Sequence, residues 1–208
     1  NTTGYAGYVR IPDNVTTIGE QAFAGCYSLV SVEIPDEVTS IGGNAFEGCD
    51  GLTSVNIGHG VTFIGDSAFY DCSSLTSVNI SDSVTSIGTE AFHSCTDLVS
   101  VDIGDGVTSI GSSAFYGCSS LAEVVIPDSL GSIGIYTFTG CTDLASVVIG
   151  DNVTTISDYA FTGCSNLRSI VIPEGVATIG TNAFDANGCQ KSLFVSGVVM
   201  CNCNNTDS

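Results

Sequence analysis

Apolar residues return along this chain at a fixed interval of 23. Phenylalanine occupies Phe23, Phe46, Phe69, Phe92, Phe115, Phe138, Phe161 and Phe184 without a gap. In phase with it run isoleucines from Ile18 to Ile179, leucines from Leu29 to Leu167 and further isoleucines from Ile34 to Ile172. A constant period of roughly 20 to 29 residues with several apolar columns marks a stacked array, in which each unit buries its apolar face only against its neighbours.

One period reads Leu29-x-x-Val32-x-Ile34, then Pro35-Asp36, then Val38-x-x-Ile41-Gly42, then Ala45-Phe46-x-Gly48-Cys49. The Val32-x-Ile34 alternation turns two branched side chains inward and Glu33 outward, as a short strand does, and Pro35-Asp36 is turn chemistry. The stretch from Asn44 to Cys49 is expected to form one helical or 3₁₀ turn that drives Phe46 into the core. The predicted fold is a repeat solenoid of leucine-rich-repeat type, mainly short parallel β-strands with one such turn per repeat. Eight repeats and a partial first coil would fill residues 1–190, and a capping tail residues 191–208. Coils paired at roughly 4.8 Å would stack into a body on the order of 40 Å long.

These units resemble the BspA-like leucine-rich repeats, including the Treponema pallidum-type surface repeats, whose pattern runs close to Leu-x-x-Val-x-Ile-Pro-x-x-Val-x-x-Ile-Gly-x-x-Ala-Phe-x-x-Cys. The resemblance spans about residues 5 to 190. The commonest leucine-rich pattern has Asn or Cys three residues past the strand, where this chain has Glu37, Gly60, Ser83 or Gly106. The resemblance implies a surface or secreted protein serving adhesion or protein binding. That is a role class only, because a repeat scaffold does not determine its ligand.

Hydrophobic residues make up 43% of the chain, ample for a core. Only Arg10, Arg168 and Lys191 oppose 22 carboxylates, and the net charge of -19 excludes a nucleic-acid partner, since phosphate binding draws on clustered Lys and Arg. The surplus favours basic partners and accumulated cations. No apolar run approaches the roughly 18 residues that span a bilayer, so no membrane insertion is expected. No signal pattern opens the chain, so an exported protein would already have lost its signal. Asn1, Asn14, Asn79, Asn152 and Asn204 head acceptor triplets for glycosylation, in keeping with an extracellular or cell-surface location.

Seven of the ten cysteines form a column, Cys26, Cys49, Cys72, Cys95, Cys118, Cys141 and Cys164. Equivalent residues of adjacent coils have parallel Cβ vectors, whereas a disulfide needs converging ones, so these are expected to be buried thiols acting as small hydrophobes. No His joins the column to complete a zinc site. Past Phe184 the register slips by two residues. Cys189 bonded to Cys201 or Cys203 would cap the last coil in an oxidising compartment.

Three surfaces are candidates for function. Asp13, Asp36, Asp82, Asp105, Asp128 and Asp151 share a column with His59 and Glu174. Like charges roughly 5 Å apart cost about 0.8 kcal/mol per neighbour in water. Either each Asp caps its own turn by accepting a backbone N–H, or the file, chiefly Asp82, Asp105, Asp128 and Asp151, collects Ca²⁺ as its one candidate cofactor; His59 interrupts it. The outward strand column runs Glu33, Asn56, Asn79, Asp102, Val125, Val148 and Val171, polar in its first half and apolar in its second. Beside it lie Val30, Thr53, Thr76, Val99, Ala122, Ala145 and Arg168. Three exposed valines in file mark a contact with a protein or glycan, unless they are simply good strand formers. The third surface is the Thr/Ser array of Thr39-Ser40, Thr85-Ser86 and Thr108-Ser109, interrupted by Phe63, Gly131 and Ala177, which sets ice binding aside.

His59 and His93 read as substitutions within a repeat. No Gly-x-Ser-x-Gly elbow, phosphate loop or paired metal motif breaks the period where a grafted active site would, so the chain is not expected to be an enzyme. Two roles follow: a recognition or adhesion module acting through its strand face, or a subunit whose open first coil adds head-to-tail into an extracellular filament of further copies of itself.

Overall fold

The computed structural model describes residues 7–185 and a short strand at 198–200. Longer strands β1 (Tyr8–Arg10), β3 (Ser31–Glu33), β5 (Ser54–Asn56), β7 (Ser77–Ile80), β9 (Ser100–Ile103), β11 (Glu123–Ile126), β13 (Ser146–Ile149) and β15 (Ser169–Val171) form one face. Two-residue strands β2 (Thr17–Ile18), β4 (Ser40–Ile41), β6 (Phe63–Ile64), β8 (Ser86–Ile87), β10 (Ser109–Ile110), β12 (Ser132–Ile133), β14 (Thr155–Ile156) and β16 (Thr178–Ile179) form the other. Together they wind a parallel solenoid of about seven full turns. The register follows the sequence period, as in Val32↔Val55 and Ile80↔Ile103. β15 pairs antiparallel with β17 (Val198–Met200).

The third side of each coil is not the helical or 3₁₀ turn expected from the sequence; among the described residues there is no helix. In the coil of Phe46, Ala45, Glu47 and Cys49 donate N–H bonds back three residues, to Gly42, Asn44 and Phe46. The intervening N–H groups of Asn44, Phe46 and Gly48 point across to Asp66, Ala68 and Tyr70 of the next coil. Asn44 (φ 54°) and Gly48 (φ 64°) take left-handed backbone that flips alternate peptides outward. A 3₁₀ helix needs consecutive i→i+3 bonds, and here every second one is given up to tie coils together.

That ribbon carries the core. Phe23 through Phe184 stack face to face in one unbroken column, with centroids 5.1 to 5.4 Å apart. Phe46 through Phe161 are wholly buried.

Two departures from uniformity stand out. Pairing is full at β1–β3, β3–β5, β7–β9 and β11–β13, but only one residue pair joins β5 to β7 and β9 to β11. From β3 to β13 this alternation follows the residue after the inward Ile: Pro35, Gly58, Ser81, Gly104, Pro127, Gly150. Over this stretch every second coil has glycine there, where a Cβ on Gly58 or Gly150 would collide with the carbonyl of Pro35 or Pro127. Close and looser steps therefore alternate between β3 and β13, while β1 and β3, with Pro12 and Pro35 side by side, are fully paired as well. Ser83 and Ser129 hydroxyls bridge the looser steps by donating to the carbonyls of Val61 and Val107.

The second departure is a break between β10 and β12, which belong to separate sheets. Thr39, Thr62, Thr85 and Thr108 each donate N–H to the preceding coil, and so do Gly42, Gly65, Gly88 and Gly111. Among the described residues, Gly131 and Gly134 make no such bond to Thr108 and Ile110. A Cβ on Gly65, Gly88 or Gly111 would collide with the preceding coil's backbone; on Gly134 it would stand 3.4 Å from the carbonyl oxygen of Ile110. Leu130 in a valine column and Thr137 in an alanine column oversize this coil, and overpacking pushes neighbours apart. The Thr137 side chain is buried and its hydroxyl has no hydrogen-bond partner.

Candidate binding surface

The outward positions of the longer strands bring the valine strip together as one file. Register sets Val125 beside Val148, and Val125, Val148 and Val171 are 58%, 55% and 63% exposed. Branched side chains hold these strands extended, and the pleat that buries Val124, Val147 and Ile170 turns the valines to solvent.

In the polar half, Asn56, Asn79 and Asp102 are exposed. Glu33 is already engaged within the molecule. It accepts a 2.6 Å hydrogen bond from the Tyr8 hydroxyl and lies 3.6 Å from the Arg10 guanidinium, which also holds Asp13 at 2.7 Å. Donating to that carboxylate raises the Tyr8 phenol above its ordinary range. Between the two halves, over β7, β9 and β11, lies a shallow depression of about 380 Å³ walled by Ser77, Asn79, Ser100, Asp102, Glu123 and Val125. Asn79 heads an acceptor triplet, so a glycan on it would fill this depression.

The aspartate file is built differently from the turn-capping expectation. Asp36, Asp82 and Asp128 accept N–H bonds not within their own turns but from His59, Asp105 and Asp151 one coil on, at 2.7, 2.9 and 2.7 Å. Extending the ladder this way satisfies an N–H that the tight turn leaves over. Among the described residues, no group of three or more His, Cys, Asp or Glu side chains is placed to hold a metal ion.

The cysteines from Cys49 to Cys164 are buried free thiols, whereas Cys26 is exposed. Each buried Sγ donates to a phenylalanine carbonyl of the preceding coil, as Cys95 does to Phe69 at 3.2 Å. Burial pushes the Cys49 thiol up to about 11 and the Cys164 thiol to about 12, and holds Cys95, Cys118 and Cys141 well above the ordinary range. Cys189, Cys201 and Cys203 lie outside the described residues.

Two short aromatic files lie on the turn side; the column that His93 shares with Glu47, Tyr70 and Tyr116 reads in the sequence as variable surface, and its stacking emerges only in the structure. His93 is sandwiched between Tyr70 and Tyr116, with centroids 4.8 and 4.7 Å away, and Tyr136 stacks on Tyr159 at 5.0 Å. Within each of the two files the rings stand 23 residues apart. Burial lowers the His93 pKa, against the opposing pull of Glu90 and Asp71. The threonine file opposite the strand face is occupied: Thr39, Thr62, Thr85 and Thr108 hydroxyls donate to carbonyls of the preceding coil at 3.1 Å.

The sequence profile of the BspA type leucine rich repeat region matches in six copies, over residues 3–121 and 62–191. The chain belongs to that family. Among solved structures, it is similar to the leucine rich repeat protein of T. pallidum, with 31% identity, 88% of this chain and 77% of that one covered, and a TM-score of 0.72. A leucine-rich repeat protein from Bacteroides ovatus shares 35% identity over 86% of this chain and 49% of its own, at a TM-score of 0.82. A leucine rich cell surface protein from Faecalibacterium prausnitzii shares 36% over 89% and 46%, at 0.67. This BspA-type chain thus spans about half the length of the last two. No protein of curated function matches it. Among the described residues no helix is long and apolar enough to cross a membrane.

Proposed function

We propose that this chain is a recognition module of a secreted or cell-surface protein, binding a protein or glycan through its strand face. The observation that carries the reading is the file of Val125, Val148 and Val171, each more than half exposed on the neighbouring strands β11, β13 and β15. Apolar strips of this kind on a surface otherwise dominated by Ser, Thr and Asp mark contacts. Membership of the BspA-type family and the likeness to a protein described as cell-surface support the location. The coils act as a scaffold, and the departures from the repeat carry specificity rather than catalysis.

Assembly into a head-to-tail filament is the weaker reading. It needs free sheet edges at both ends of the solenoid, and the pairing of β17 along β15 occupies one of them. Val148→Asp is the discriminating change. It is expected to leave the melting temperature within about 1 °C, because exposed positions away from special features shift stability by only about 0.5 kcal/mol, while abolishing attachment of the protein to host-cell or matrix surfaces. Attachment unchanged by Val148→Asp would refute the strand-face reading.

A further inference from the structure

We infer that the strand face takes an extended peptide segment in which a Lys or Arg is followed by alternating branched apolar residues. The inference rests on the strand face being the recognition surface, and it names the partner's chemistry. Asp102 on β9 and Glu123 on β11 are both exposed at the depression. Glu123 pairs in register with Ser100, which sets Asp102 directly beside Val125. Strand geometry puts the Asp102 and Glu123 Cα atoms about 8 Å apart, a gap that one ammonium or guanidinium can bridge. Neither carboxylate has a cation among the described residues: Arg10 is held by Asp13 and Glu33 at the other end of the solenoid. The exposed Arg168, two coils beyond Glu123 in the neighbouring outward column, makes no ion pair with either acid.

Dimensions select the shape of the occupant. Three strand steps of roughly 4.8 Å carry the surface about 14 Å from Asp102 to Val171. An extended peptide laid across the strands presents same-facing side chains about every 6.7 Å, so three of them span that distance. The first is the cation over Asp102 and Glu123. The second rests between Val125 and Val148, and the third on Val171. Charge fixes the direction of the segment, and the valines supply apolar area.

The test is selection of a randomised dodecapeptide library on the whole chain, followed by fluorescence anisotropy of a synthesised winner against the parent protein and variants. Enrichment of Lys/Arg-x-Φ-x-Φ, where Φ is Val, Ile or Leu, is expected. Binding should weaken at least about tenfold in the Asp102→Asn/Glu123→Gln protein, by a similar factor in Val148→Asp, and with rising salt. Thr85→Val on the opposite face should bind as the parent does, and melting curves establish that each variant folds. Winners without a basic residue whose binding Val148→Asp abolishes would overturn the inference and leave the strand-face reading standing, as would a glycan-array signal lost in Val148→Asp without any peptide enrichment. Winners indifferent to Val148→Asp would overturn both. No enrichment and no glycan signal would overturn the inference.

Discussion

Thr137 offers the sharpest check on the packing. It stands where the equivalent coils carry Ala22, Ala45, Ala68, Ala91, Ala114, Ala160 and Ala183, and its buried hydroxyl has no partner. An unsatisfied buried polar group costs about 1–3 kcal/mol. Thr137→Val keeps the shape and exchanges the hydroxyl for a methyl, so it should stabilise by about that amount. For a body of this size that raises the melting temperature by about 2–8 °C. Thr137→Ala removes the hydroxyl and also a methyl, whose lost burial costs about 1 kcal/mol. In exchange it returns the coil to the size its neighbours have, so its net gain should be smaller, about 1 kcal/mol. The two variants should differ structurally as well. Calorimetry supplies the stabilities, and amide hydrogen exchange at Gly134 reports whether the coil closes on Ile110. Protection of that amide should rise in Thr137→Ala and stay low in Thr137→Val. If Thr137→Val lowers the melting temperature, the hydroxyl is satisfied in solution; if Gly134 gains no protection in Thr137→Ala, the account of the β10–β12 break is wrong.

Phe92→Ala removes one ring from the middle of the stack, between Phe69 and Phe115 at 5.2 and 5.3 Å, and should cost about 3–5 kcal/mol; an unaltered thermal melt would refute the core register. The column thiols make the fold sensitive to alkali. Burial keeps Cys72, Cys95, Cys118 and Cys141 protonated in the folded state well past the range in which a free thiol ionises. Their stabilising contribution is therefore complete below about pH 8.5 and is lost as pH climbs above it, by about 1.4 kcal/mol per unit for each thiol. Urea midpoints should fall steeply between pH 8 and pH 10, and less steeply in Cys118→Ala; equal midpoints would contradict the burial. Asp82 and Asp128 already spend one oxygen each on the next coil, so calcium and chelator should give the same melting curve; a rise of several degrees with calcium would make the aspartate file a metal site.

The columns from Phe23 and Ile34 onward made the coil, its register and its inward faces readable from the sequence, because a solenoid repeats each local decision until chance is excluded. The strand-face valines were readable for the same reason, since alternation with Val124 and Val147 leaves them no inward position. What escaped was the relation between coils. A single repeat gives no hint that Asn44 and Gly48 flip their peptides toward the next coil, and so a helical turn was expected. The same blindness assigned each aspartate to its own turn, when its partner lies 23 residues on. Thr137 and Leu130 were visible as departures from their columns, but only the spacing between coils shows that they part the sheet. Glu33 looked like a free surface acid until Tyr8 and Arg10, one coil away, were seen to hold it.

The alternation of Pro35, Gly58, Ser81, Gly104, Pro127 and Gly150 also governs how such a protein can change length. A gene that gained or lost a single 23-residue unit within this stretch would break the alternation, setting two glycines, or two bulky turns as at Pro12 and Pro35, side by side. Gain or loss of two units at once preserves the alternation. Recombination among proteins of this design should therefore move the array in increments of two coils, and lengths differing by an even number of repeats should outnumber the odd ones.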